Sequence, residues 1–343
     1  MPASLTAPGA IQPIVLGVLP VIVFLAGLTV MDSYRLVRPT AVLRSVFVGF
    51  VAAGLAMAVA RGALGWTGWT RADYGVLAGP VLEEALKAAF VAFLVVTKRV
   101  GFMVDAAIHG FAVGAGFAVL ENVIYLSPAD VTVPLALARG FGAALMHGGA
   151  TAIFGIAAKR FVEERGPRSG AGLAAGFAVA SIFHVLFNRA VASPVLAIAG
   201  VVAALPVALF LFFRESERSL RSWLGIGFDT DAEMLEMMED GKLSDSHVGT
   251  YLSSLRDRLP PEIVADMLCM LRLRVELSVR AKGILLMRDE GFEAPVDPEV
   301  RERFEELRYL ERSIGRTGML AMLPLLSWRH RDLWEMHMLA GRR

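Results

Sequence analysis

Two adjacent glutamates and a lysine one turn on interrupt an apolar run, Leu82-Glu83-Glu84-Ala85-Leu86-Lys87. Three later apolar runs carry their own polar groups. The first holds Glu121, Asn122 and Tyr125, the second Arg139 and His147, and the third His184 and Asn188. Charged side chains in hydrocarbon cost about 2.5–3.5 kcal/mol each on insertion scales, so such a concentration asks for a chemical reason. Neighbouring carboxylates in a low-dielectric site resist ionising together, which divides their roles. One can take a proton from water as a general base. Lys87 stands four residues after Glu83 and three after Glu84, and so shares a helix face with either. His184 and Asn188, also four apart, project to one side and suit hydrogen bonding to a developing oxyanion. That set is sufficient for attack of water on a peptide bond with neither a covalent intermediate nor a metal.

The elements that must position these groups read as membrane helices. The chain has 343 residues, 55% of them hydrophobic, and a mean hydropathy of +0.57. Soluble domains are about 45–50% apolar even with glycine counted. Seven apolar stretches approach the roughly 20 residues that cross a bilayer: 11–31, 45–60, 74–97, 104–126, 133–156, 170–190 and 194–213. The first has no basic residue before it and is read as a retained span rather than a cleaved leader. Residues 1–213 hold 14 Lys and Arg against 9 Asp and Glu, whereas 214–343 hold 20 against 24. The expected architecture is all-α, a polytopic bundle of about seven transmembrane helices over 1–213 followed by a soluble helical domain over 214–343.

Basic residues give the orientation. Arg35, Arg38 and Arg44, then Lys98 and Arg99, then Lys159, Arg160, Arg165 and Arg168 follow the first, third and fifth stretches. The alternate connections hold only Arg61, Arg71 and Arg189. This places the N-terminus outside and the tail in the cytoplasm, in agreement with Arg214, Arg218 and Arg221. At helical rise, Glu83 and Glu84 then lie roughly 14–15 Å from the outer end of their span, and Glu121 and His184 about 8–9 Å. His147 comes out deeper, at roughly 20 Å. The first four are compatible with one site in the outer half of the bilayer. His147 leaves a structural role open, as does Arg139, which could only neutralise Glu121. Tyr125 could be an interface anchor. Asp105 and His109 fall far below Glu121 and are left out of the site.

The tail reads as helical, with Leu252, Leu255 and Leu259 leading to Pro260-Pro261, a periodic stretch from Ile263 to Met287, and an amphipathic one from Val300 to Ile314. Trp328 and Trp334 stand near its end, and its methionines read as core filling. Other hydrolase signatures are missing: there is no HExxH, no GxSxG elbow and no paired Gly-Asp context. The single cysteine, Cys269, excludes an intrachain disulfide and a cysteine zinc site.

The order EExxK (Glu83, Glu84, Lys87), then GxGFAxxENxxY over residues 114–125, then His147, then HxxxN (His184, Asn188) resembles the PrsW family, bacterial relatives of the type II CAAX prenyl proteases. The resemblance covers about residues 75–190, and its second motif is the specific one. It implies a glutamic-type intramembrane protease with functional positions at Glu83, Glu84, Glu121, His147 and His184, Asn188 completing the last motif; Lys87, Asn122, Tyr125 and Arg139 are the expected supporting residues. It implies cleavage of a membrane-anchored protein, of the anti-sigma-factor class, near the extracytoplasmic face. No cofactor and no metal is expected, with a metal-dependent variant using Glu83, Glu84, His147 and His184 as the alternative chemistry. The lipid bilayer is a partner, nucleic acid is not, and the tail offers a place for a cytoplasmic protein partner. Two other classes remain open: a proton-coupled transporter, since buried Glu, His and Lys also mark ion pathways, and a non-catalytic scaffold on a protease fold.

Overall fold

The computed structural model describes residues 8–128, 131–165, 170–189, 194–292 and 299–326, together with Glu335, Met338 and Leu339. Arg168, Trp328, Trp334, His330 and His337 lie outside the described residues. Among the described residues every regular element is helical. Two compact units are resolved, Met1–Ser216 and Glu217–Arg343.

The first unit contains α1 (Pro8–Val30), α2 (Pro39–Thr67), a single turn α3 (Arg71–Asp73), α4 (Gly79–Val96), α5 (Met103–Tyr125), α6 (Val133–Arg165), α7 (Gly170–Arg189) and the start of α8 (Pro194–Glu239). A π-helical segment, Tyr74–Ala78, joins α3 to α4. Among the described residues six helices are long and apolar enough to cross a membrane: α1, α2, α5, α6, α7 and α8. The stretch expected over 74–97 is helical, but α4 is 18 residues long and carries Glu83, Glu84 and Lys87, so it falls short on apolarity. Its hydropathy is lowered by the groups of chemical interest.

Helix α5 explains the packing. It is apolar on every side, and such a helix belongs inside a bundle. Every residue from Val104 to Ala118 is buried. Glycines let its neighbours approach to backbone contact, as small residues do in membrane bundles. A Cβ on Gly110 or Gly114 would collide with the α6 backbone at Thr151 or His147, and one on Gly116 would collide with Val46 of α2. The close α5–α6 approach at Gly114 is what brings His147 beside the end of α5. By contrast α2 presents Leu43, Phe47, Val51 and Leu55, spaced every four residues, as an exposed apolar stripe. In a membrane protein that stripe faces lipid.

The second unit contains the rest of α8, α9 (His247–Leu255), α10 (Pro261–Asp289) and α11 (Glu299–Met322). The Ser246 hydroxyl caps α9 by accepting the Gly249 N–H at 3.1 Å. Buried Met267, Met270, Met322 and Met338 fill its core. Lys282 on α10 is buried there, donating to Asp231 and to Ser278 at 2.6 Å each and pairing with Glu335 at 3.3 Å. Burial alone would lower its pKa, but the Glu335 and Asp231 carboxylates outweigh that and hold it above the ordinary lysine value.

Candidate active site

Four helices of the first unit each contribute one part of a continuous polar cluster. Helix α4 supplies Glu83, Glu84 and Lys87, α5 supplies Glu121, α6 supplies Arg139 and His147, and α7 supplies His184. The structure decides the pairing that the sequence leaves open: the Lys87 ammonium bonds Glu84 Oε1 at 2.5 Å. The same ammonium donates to His147 Nδ1 at 3.0 Å and lies 4.8 Å from the centre of the Phe117 ring. A lysine only donates, so His147 Nδ1 must accept, and its Nε2–H is left to donate to Glu121 Oε2 at 2.8 Å. Arg139 stands 3.5 Å from the same Glu121 oxygen, its guanidinium over the Tyr125 ring at 4.2 Å. Lys87 is thus the hub from which one carboxylate and one imidazole are oriented.

The second imidazole is set in the same way. His184 Nδ1–H donates to Glu84 Oε1 at 2.8 Å. In the neutral ring this leaves the Nε2 lone pair facing Glu83 Oε2, 3.8 Å away. That distance is too long for a direct hydrogen bond. Two acceptors facing each other call for a donor or a cation shared between them. The two rings meet edge-on with centroids 4.9 Å apart.

Burial divides the cluster into a floor and a face. Glu84, Lys87, His147 and His184 are 0–2% exposed, while Glu83 and Glu121 are 22% and 19% exposed. These two open into a cavity of about 310 Å³ between α2, the π-helical segment and α5. Tyr74, Tyr125, Arg61 and Arg71 also line it. The carboxylates that meet solvent are therefore Glu83 and Glu121, and Glu84 is the buried brace beneath them.

Of the residues expected at the site, Glu83, Glu84, Lys87, Glu121, Arg139, His147 and His184 come together. His147 does so despite the greater depth read from helical rise. Its helix is 33 residues long, so the position of His147 along α6 does not give its level relative to helices with other starting points. Asn188 does not reach this cluster with its amide nitrogen. Nδ2 donates instead to Gly75 O in the π-helical segment at 3.0 Å, which ties the end of α7 to the start of α4. Asn122 is buried and points the other way, donating to Gly17 O of α1 at 3.0 Å. Asp105 accepts the Gly101 N–H, and His109 pairs with Ser45 across α5 and α2. Gly75 carries no sequence signal because it acts through its carbonyl, and Phe117, although part of the GxGFAxxENxxY pattern, gives no sign in the sequence that its ring packs against Lys87.

Residue types and spacing alone call for no metal, and the geometry bears on that point. Glu83, His147 and His184 offer ligand atoms that all lie within 4.8 Å of one another. One carboxylate with two imidazoles is a donor set of catalytic zinc sites that keep a coordination position open. Glu84 on the far nitrogen of His184 is the kind of outer partner that fixes a ligating imidazole. The residues fit a divalent ion, provided His147 Nε2 exchanges Glu121 for it.

A family model described as PrsW family intramembrane metalloprotease matches residues 37–213. No curated protein and no solved structure gives a significant match to the chain.

Proposed function

The chain belongs to the PrsW family of intramembrane proteases, and we propose that it hydrolyses a peptide bond of a membrane-anchored protein at the Glu83–Glu121 face of the cavity. The observation that carries this reading is the 3.8 Å gap between Glu83 Oε2 and His184 Nε2, at the wall of a cavity large enough for a peptide segment. A water in that gap meets a carboxylate on one side and an imidazole lone pair on the other. Glu83 takes a proton from it as its oxygen bonds to the scissile carbonyl carbon. His184 carries the proton on to the leaving nitrogen as the C–N bond breaks, giving a carboxylate and an amine. Glu84 accepts from His184 Nδ1 throughout and stabilises the imidazolium. The Arg139 guanidinium, which has further N–H groups beside its contact to Glu121, is the donor assigned to the developing oxyanion, and the His147 Nε2–H stays on Glu121 and positions it. Asn188, expected in that role from its spacing, holds the π-helical segment instead.

A second reading is favoured by the donor set itself. Glu83, His147 and His184 would hold a divalent metal ion, which when bound supplies Lewis-acid polarisation of the carbonyl and a more acidic water. The roles of Glu84 in fixing His184, and of Lys87 in fixing Glu84, are the same in both readings.

The substrate class follows from family resemblance: a membrane-anchored protein of the anti-sigma-factor kind. The basic residues after the first, third and fifth apolar stretches support a cavity on the extracytoplasmic side, with residues 214–343 in the cytoplasm as a separate domain. That domain is where a cytoplasmic protein partner would dock. Co-expression with tagged single-span candidate substrates tests the assignment. Glu83→Gln and His184→Ala should each abolish the cleavage fragment while the protein still accumulates in the membrane. Fragments that persist in both variants end the assignment to this site. Solute uptake by sealed vesicles would favour the carrier.

A further inference from the structure

Arg61 near the end of α2 and Arg71 at the start of α3 line the same cavity as Glu83 and Glu121. Both are exposed, and neither is the cation paired with Glu84 or Glu121. Glu84 has Lys87, and Glu121 has Arg139. Among the described residues neither Arg61 nor Arg71 forms an ion pair. The nearest acidic residue in sequence, Asp73, is engaged by the Thr70 hydroxyl at 2.6 Å. The connections read as extracytoplasmic hold only Arg61, Arg71 and Arg189, and two of these three stand at the mouth of one cavity. Arginine offers a planar fork of donors that matches a carboxylate bidentately. Anions approaching Glu83 and Glu121 are otherwise repelled, so two uncommitted guanidinium groups there give the mouth a selective character.

We propose that Arg61 and Arg71 form a carboxylate-recognition subsite, which selects peptides bearing an acidic group beside the scissile bond. This rests on the peptidase reading and adds substrate chemistry to it. The cavity that Arg61 and Arg71 line also holds Glu83 and Glu121, so the span from the subsite to the scissile bond is a few residues of extended peptide at about 3.3 Å each. The recognised carboxylate lies within that distance of the cleaved bond, as an Asp or Glu side chain or as a free C-terminus left by an earlier cleavage.

The test measures binding, so that it does not depend on turnover. Full-length Glu83→Gln protein is placed in phosphatidylcholine nanodiscs. It is titrated with fluorescent single-span peptides that carry Glu or isosteric Gln at each of three positions flanking the span. Amidated and free-acid versions separate the two sources of carboxylate. One of the acidic forms should bind about tenfold tighter than its neutral counterpart, the scale of a charge-assisted bidentate contact. The preference should weaken with salt. With Arg61→Gln and Arg71→Gln added, the acidic-to-neutral ratio should fall to about one. Equal binding of acidic and neutral peptides, including no binding of either, overturns the proposal. So does an arginine effect that emerges only when phosphatidylglycerol is added, since the arginines would then be reading lipid headgroups. Hydrolysis of the same peptides by the wild-type protein is read separately by mass spectrometry. Retained acidic preference without hydrolysis rejects the peptidase reading and keeps the subsite.

Discussion

Replacing Lys87 by Met removes the group that orients most of the site, and its cost can be worked from the geometry. Lys87 is fully buried and 2.5 Å from Glu84 Oε1. At an effective dielectric near 20 the gross attraction across that distance is about 7 kcal/mol. Desolvation of both ions offsets most of it, so the intact pair adds little net stability. Removing one partner is different, because the remaining charge stays buried and uncompensated. Lys87→Met and Glu84→Gln should each cost about 3–5 kcal/mol. The double variant leaves neither charge, so it should be less destabilised than the single effects predict, with a coupling of about 2–3 kcal/mol. The assay is reversible unfolding of the full chain in mixed micelles, followed by circular dichroism, for the wild type, both single variants and the double. Lys87→Met should also disturb His147, whose Nδ1 loses its donor, and so reduce cleavage even where the fold survives. Additive effects of the two substitutions would refute the pairing, and with it the assignment of Glu84 as a brace and not the base.

Arg139→Gln removes a partly exposed cation 3.5 Å from Glu121. It should slow cleavage about tenfold by weakening oxyanion stabilisation, and change stability by less than about 1 kcal/mol; equal rates in the two proteins would remove Arg139 from the mechanism. Metal content separates the two chemical readings: if Glu83, His147 and His184 hold an ion, purified wild type should carry about one equivalent by mass spectrometry, and Glu83→Gln and His184→Ala should each carry far less. Equal content in all three counts against the metal. In the second unit, Lys282 has its pKa raised above the ordinary lysine value of 10.5. Its stabilisation is therefore fully present below that pH and is lost as pH rises through the higher folded-state value. Fluorescence of Trp223, whose ring lies 5.4 Å from the ammonium, should report an alkaline loss of stability that Lys282→Met abolishes; an unchanged alkaline profile would contradict this.

Polar residues in the spans are legible from the sequence because hydrocarbon makes them expensive, and that cost alone singles out Glu83, Glu84, Glu121, His147 and His184. Which carboxylate meets which cation is not legible there. Three- and four-residue spacings put Lys87 on a face with both glutamates, and only the packing of α4 against α6 decides for Glu84. Helical rise misplaces His147 because it measures distance along one helix, not offset between two. Asn188 has the right spacing from His184, yet its partner is a carbonyl exposed by a π-helical segment that no composition rule marks. Helix α8 continues to Glu239, where the end of the apolar stretch at 213 suggests a change of element. Loss of hydropathy marks the end of a buried or lipid-facing stretch and not the end of a helix, because charged residues such as Glu and Arg propagate a helix well.

The central claim is that Glu83, facing the cavity, activates water against a peptide bond. Its most direct test is cleavage of a single-span peptide by purified protein in oxygen-labelled water. Wild type should place the label in the new C-terminal carboxylate, and Glu83→Gln, folded to the same stability, should give no labelled fragment. Labelled fragment formed by Glu83→Gln at the wild-type rate would contradict the account.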